Sequence, residues 1–213
     1  SQEGGKVVIT YLEGDSDEAN NAHDVAKKIN SKLIIPVDVR KRESVKKMML
    51  MVKKEFGKID VLVNNAGINH TADFDKQTDE EWGNVLSVDL KGVFICCQEV
   101  LPHISKNGRI INIGSVSGQY GGPRSPAYAA AKAGVMALTH NVARFVGKNN
   151  ITVNCVAPGM IESPFLDKTM PKSLKDTLFP DIALKRLGTM NEVAGTVVFL
   201  ASDDGGYITG QTI

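Results

Sequence analysis

The chain has 213 residues, 42% hydrophobic and 23% charged, a composition that suits one globular domain with a substantial core and excludes a disordered chain. Its formal net charge of +1 gives no electrostatic reason to expect a nucleic-acid or membrane partner, and no apolar run reaches the roughly 20 residues that a membrane helix needs. Three cysteines without a C-x-x-C pair and four histidines without an H-E-x-x-H pattern argue against a metal site and suit a reducing compartment.

From the N-terminus, KVVIT at 6 to 10 reads as a strand and predicts a helix over 17–30 after it. A second strand, KLIIPVDV at 32 to 39, leads to a helix over 43–56. The third strand, IDVLVNN at 59 to 65, runs into a tight Asn/Gly turn. One long helix is expected over 78–105, capped by Thr78 or Asp79, with Glu80 and Glu81 favouring its first turn and Cys96 and Cys97 in its core face. RIINIG at 109 to 114 is a fourth strand, and the Ala-rich run after it predicts a helix over 126–147. ITVNCVAP at 151 to 158 is a fifth strand ending in Pro158-Gly159. Phe165, Leu166 and Met170 begin an apolar, proline-broken segment over 164–188, read as a mobile lid, as an amphipathic helical pair packed on the body, or as both. A last helix is expected over 191–202. This alternation predicts an α/β fold, a parallel sheet covered by helices on both faces, with its ligand site at the carboxyl ends of the strands. No basic start with an apolar h-region appears, so the expected location is cytoplasmic.

Chemistry concentrates in one stretch. Tyr128 and Lys132 are four residues apart on the 126–147 helix, so both side chains rise from one face. An ammonium beside a phenol favours the phenolate, and the expectation is that Lys132 lowers the Tyr128 pKa from its ordinary value of about 10. Ser115, thirteen residues before Tyr128, follows the fourth strand and is placed to hold a substrate oxygen beside the phenol. Such a site suits a carbonyl and its alcohol.

These residues, with VDV at 37 to 39, NNAG at 64 to 67, YAAAK at 128 to 132, APG at 157 to 159 and RLGTMNEVAGTVVFLASD near the end, resemble the short-chain dehydrogenase/reductase family. The motifs keep the family's order and spacing over nearly the whole chain, and the resemblance is to the kind that includes 3-oxoacyl-carrier-protein reductases and sugar, polyol and steroid dehydrogenases. It implies a Rossmann-like doubly wound parallel sheet in a single domain over 1–213. It also implies an NAD(P)-dependent interconversion of a ketone and a secondary alcohol by hydride transfer, a small-molecule substrate, and a homo-oligomer, dimer or tetramer. A 3-oxoacyl thioester is the favoured substrate, because the lid is apolar, with a sugar or polyol as the alternative.

By that resemblance Tyr128 is the general acid and base, Lys132 holds the nicotinamide ribose, and Ser115 binds the substrate oxygen. Asp38 and Val39 match positions that contact the adenine; Asn65, Ala66 and Gly67 match those lining the adenosine ribose. Pro158 and Gly159 lead to Ile161 and Ser163, which match the positions that bind the nicotinamide carboxamide. Asp89 stands where the family often has an asparagine that helps a water chain reach the lysine, and it is expected to orient water. No metal is implied. NADP is favoured over NAD, because the first strand ends in Thr10-Tyr11-Leu12 without the terminal acid that binds a 2′-hydroxyl, although Glu13 nearby speaks for NAD.

The resemblance has gaps. Family members open with a strand and a T-G-x-x-x-G-x-G turn, and no such motif is present; KVVIT matches the family's second strand. The chain stops at YITGQTI, where the family continues through a last strand, so the domain is expected to be incomplete at both ends. Two accounts stay open: an incomplete copy of an ordinary enzyme, which the Ser, Tyr and Lys set favours, or a truncated, non-catalytic relative serving as subunit or scaffold. Without the first strand two runs of backbone groups lose partners, so rearranged pairing or a strand from another chain is expected.

Overall fold

The computed structural model describes residues 4–213, so the first three residues of the expected domain lie outside the described residues. Strand β1 (Val8–Tyr11) leads to helix α1 (Ser16–Ile29), β2 (Leu33–Pro36), α2 (Arg42–Phe56) and β3 (Ile59–Asn64). Then come α3 (Asp79–Leu86), a π-helical turn over Ser87–Gly92, α4 (Val93–Val100), β4 (Ile104–Ile113), α5 (Ser117–Tyr120) and α6 (Pro126–Val146). The chain finishes with β5 (Thr152–Val156), α7 (Pro164–Thr169), α8 (Lys172–Leu178) and α9 (Met190–Ala201).

The helix ends follow local chemistry. Asp15 caps α1 by accepting from the Asp17 and Glu18 amides at 3.0 Å each. Thr78, not Asp79, caps α3, in a reciprocal box with Glu81; Thr189 and Glu192 do the same for α9. Pro126 opens α6, where its missing N–H costs nothing. The long helix expected over 78–105 is a correction: it is α3, a π turn and α4, and β4 already begins at Ile104. A π turn accommodates an extra residue and turns the next side chains, so Asp89 faces inward and is fully buried.

All strand pairs are parallel, but the sheet lies in two pieces, β1-β2 and β3-β4-β5. Among the described residues β1 pairs only with β2 and β3 only with β4, so pairing is not rearranged. Val61 and Val63 of β3 stay 39% and 41% exposed. One apolar core nevertheless spans both pieces: Ile35 of β2 and Ile59 of β3 pack with Val45 and Met49 of α2, Val100 of α4 and Val153 of β5. The opposite edge of the three-stranded piece is lined by the chain's own closing residues. The closing residues run parallel to β5, with Gly210 N donating to Val153 O at 2.7 Å and Cys155 N donating to Gln211 O at 2.8 Å. Registers such as Asn64 with Asn112 and Asn112 with Cys155 bring the carboxyl ends of β3, β4 and β5 level, where the conserved-spacing motifs of the sequence meet.

Candidate active site

Helix α6 carries Tyr128 and Lys132 one turn apart, as expected, and packs them under the carboxyl ends of β4 and β5. Lys132 is 3% exposed and Asp89 is 0% exposed. The Lys132 Nζ lies 3.1 Å from Asp89 Oδ2, donates to the Ile113 carbonyl at 2.9 Å, and sits 5.3 Å from the Tyr128 ring centroid. The other oxygen of Asp89 accepts from the Ile68 amide at 2.8 Å. Ser115, also buried, follows β4; its hydroxyl accepts from the Ser117 amide at 3.1 Å and stands near enough to the phenol of Tyr128 to favour its ionised form. Serine, tyrosine and lysine therefore meet in one place.

Two close approaches hold this geometry. Helix α5 lies so near α6 that a Cβ on Gly118 would stand 2.6 Å from the Ala133 amide nitrogen and 2.7 Å from the Lys132 carbonyl carbon. A Cβ on Gly67 would stand 2.9 Å from Asp89 Oδ2 and 3.4 Å from Lys132 Nζ. The loops after β4 and β5 are joined as well, through Gly114 N to Val156 O at 2.7 Å and Val116 N to Pro158 O at 3.1 Å.

The electrostatics correct one expectation. Lys132 does not lower the Tyr128 phenol: burial, and then the Asp89 charge, push its pKa up to about 12, against the Ser115 hydrogen bond, which lowers it. The ammonium sits over the ring face and is paired with Asp89, so its charge does not reach the phenolic oxygen unopposed. Asp89 likewise contacts the lysine directly rather than only through an oriented water. Burial raises the Asp89 carboxyl above its ordinary range, with Lys132 and the Ile68 amide opposing.

The remaining expected positions surround this centre. Val39 and Ala66 share a small crevice with Val88 and Gly92, at the ends of β2 and β3. Asn65 is exposed beside it. The Asp38 carboxylate is buried and already engaged: Arg40 Nε reaches Oδ1 at 2.8 Å and Nη2 reaches Oδ2 at 2.9 Å, which holds this acid below the ordinary carboxylate range. Beyond β5, Gly159 is exposed with open space around its Cα. Ile161 bridges to Gly188, and Ser163 donates to Ile161 O at 3.1 Å while capping α7.

A nicotinamide dinucleotide fits one end of this arrangement. The Lys132 ammonium has three hydrogens and donates one to the Ile113 carbonyl, which leaves donor capacity for a ribose hydroxyl beside its ion pair with Asp89. The helix that follows β1, the counterpart of the family's second strand, starts with Asp15, Asp17 and Glu18 and is therefore not itself an anion site.

Some members of the site carry no sequence signal. The Ile113 carbonyl and the Ile68 amide are backbone groups, and nothing in residue type marks them. Gln77, whose Oε1 accepts from the Ala127 amide at 3.0 Å, steadies the start of α6 from a loop fifty positions away. Phe165 of α7, read only as part of a lid, lies with its ring 6.3 Å from that of Tyr128, and the Thr71 hydroxyl donates to the Thr169 carbonyl to tie α7 across the mouth. The start of the segment, α7, thus lies beside the phenol and is tied to the loop after β3.

Comparison with known proteins agrees with this geometry. A family model described as enoyl-(acyl carrier protein) reductase matches residues 1–213. The chain is 41% identical over 216 residues to the 3-oxoacyl-[acyl-carrier-protein] reductase FabG of Staphylococcus epidermidis, covering 100% of this chain and 88% of that protein. It is 44% identical over 179 residues to FabG of Thermotoga maritima, covering 83% of this chain and 72% of that protein. Among solved structures, a double mutant of a Serratia marcescens short-chain dehydrogenase/reductase superposes with a TM-score of 0.89 at 31% identity, over 100% of this chain and 86% of that one.

Proposed function

The chain belongs to the short-chain dehydrogenase/reductase family, and from that membership we propose that it reduces the ketone of a 3-oxoacyl thioester to the secondary alcohol, with NADPH preferred over NADH. That it is an NAD(P)-dependent oxidoreductase acting on a small molecule follows from the family itself. The observation that carries the finer reading is the buried meeting of Ser115, Tyr128 and Lys132 beneath an apolar cover.

The dinucleotide, when bound, supplies the hydride to the carbonyl carbon. Tyr128 gives its phenolic proton to the carbonyl oxygen, and Ser115 holds that oxygen by a hydrogen bond. Lys132 donates to the ribose while the Ile113 carbonyl and the charge of Asp89 hold its position. Phe165 and the neighbouring Leu166 and Met170 give an acyl chain an apolar wall, a surface with no use for a polyol. Val39 and Ala66 take the adenine end, beside Asp38 and Asn65, and Ile161 and Ser163 take the carboxamide end after Pro158 and Gly159. β1 ends at Tyr11 without the terminal acid that would bind a 2′-hydroxyl, which supports NADPH over NADH.

We further place the protein in the cytoplasm as a homo-oligomer. Its three cysteines are free and buried, as a reducing compartment permits, and burial pushes Cys96 and Cys97 up to about 12, so both are inert thiols. No helix among the described residues is long and apolar enough to cross a membrane.

The test is a panel of 3-oxoacyl thioesters, simple ketones, sugars and polyols, run with both dinucleotides and followed by nicotinamide absorbance. Thioester reduction with NADPH should dominate. Turnover confined to sugars or polyols would reject the substrate assignment, and preference for NADH would reject the cofactor assignment.

A further inference from the structure

Asp89 is a fully buried charge at the site that the reaction, as described, uses only to hold Lys132. It projects from the π turn between α3 and α4, and each of its oxygens meets a different element: the Ile68 amide after β3 at 2.8 Å and the Lys132 ammonium of α6 at 3.1 Å. Gly67 lies against it closely enough to exclude any side chain. The carboxylate is thus held between the loop after β3 and helix α6, against the lysine that stands beside Tyr128.

We propose that Asp89 is a positioning residue which, by pairing with Lys132, cancels the lysine's charge and keeps Tyr128 protonated. The site is thereby set to give a proton to a carbonyl, and the reverse reaction is displaced into alkaline solution. This rests on the reading of Tyr128 as the proton donor.

The groups around the phenol agree in sign. From α6 comes Lys132, its Nζ 5.3 Å from the ring centroid and paired with Asp89. From the π turn comes Asp89, which raises the phenol. From the loop after β4 comes the neutral Ser115 hydroxyl, and from α7 the uncharged Phe165 ring. From β5 comes Cys155, near Lys132 and held neutral because burial raises its thiol. With a carboxamide in place of the carboxylate, the same lysine would face the phenol without a counter-charge.

The decisive measurement needs no cofactor. Tyrosinate absorbance is titrated against pH for the wild-type protein and for Tyr128→Phe, and the difference isolates Tyr128 from Tyr11, Tyr120 and Tyr207. The Tyr128 step should lie above the value of about 10 expected for exposed tyrosines. In Asp89→Asn it should fall by about one unit or more, a tenfold gain in phenolate at a given pH, and the alkaline limb of alcohol oxidation should move by the same amount. Asp89→Glu, which keeps the charge, should hold the wild-type step even where turnover drops. A wild-type step at or below that of exposed tyrosines overturns the proposal, whether or not Asp89→Asn folds, as does an Asp89→Asn step that does not move. Full turnover in Tyr128→Phe would instead reject Tyr128 as the donor, which is a different failure.

Discussion

A phenol proposed to release a proton to substrate at neutral pH has to begin protonated, and burial and one carboxylate arrange this for Tyr128. Burial disfavours its anion, Asp89 adds to that effect, and Ser115 partly offsets both. Lys132 serves as a fixed cation whose charge is matched nearby, not as a simple acidifier of its neighbour. The proton-transfer role leads to a direct expectation for Tyr128→Phe: the ring and its contact with Phe165 remain, and the transferable proton is gone. Turnover should fall by about 10² or more while NADPH binding, followed by nicotinamide fluorescence, changes little. Near-normal rates would remove Tyr128 from the chemistry.

At the level of elements, the site depends on two helical joints. The π turn sends Asp89 inward, and a regular helix over the same residues would have placed it differently. The short helix α5 lies on α6 at the level of Lys132, backbone against backbone, and Gly118 makes that approach possible. Gly118→Ala places a methyl against main-chain atoms that cannot rotate aside, so α5 has to move. The expected cost is roughly 1 to 3 kcal/mol in denaturant unfolding, with reduced turnover because Ser115 lies just before α5. Unchanged stability would mean that α5 shifts freely and does not brace the site.

For the whole molecule, the sheet in two pieces is the dominant fact. A common apolar core, bridged by α2 and α4, joins β1-β2 to β3-β4-β5 where backbone pairing does not. Apolar surface also remains outside: Leu86, Leu90 and Phe94 line a shallow groove along α3 and α4, and Phe94 is 43% exposed. Such a strip is characteristic of contact between copies. Sedimentation velocity should give a mass that is a multiple of 23.0 kDa, and Phe94→Glu should move it toward that value. A wild-type protein sedimenting at the single-chain mass would refute the oligomer.

Sequence by itself determined the alternating elements, the pairing of Tyr128 with Lys132 on one helix face, and the turns after β3 and β5, because all of these are written in local periodicity and in Gly, Asn and Pro positions. The helix end at Val100 had its signal in Pro102, whereas the break at the π turn was not legible, because SVDLKG apart from Gly92 suits an ordinary helix. Nor was the sign of the Tyr128 shift, since it depends on which charge stands closer to the phenol and which is buried with it. Only the tertiary structure decided that Asp89, 43 positions from Lys132, meets it across a buried gap, because electrostatic influence in a low-dielectric interior is set by distance in space and by lost solvent, neither of which spacing along the chain records.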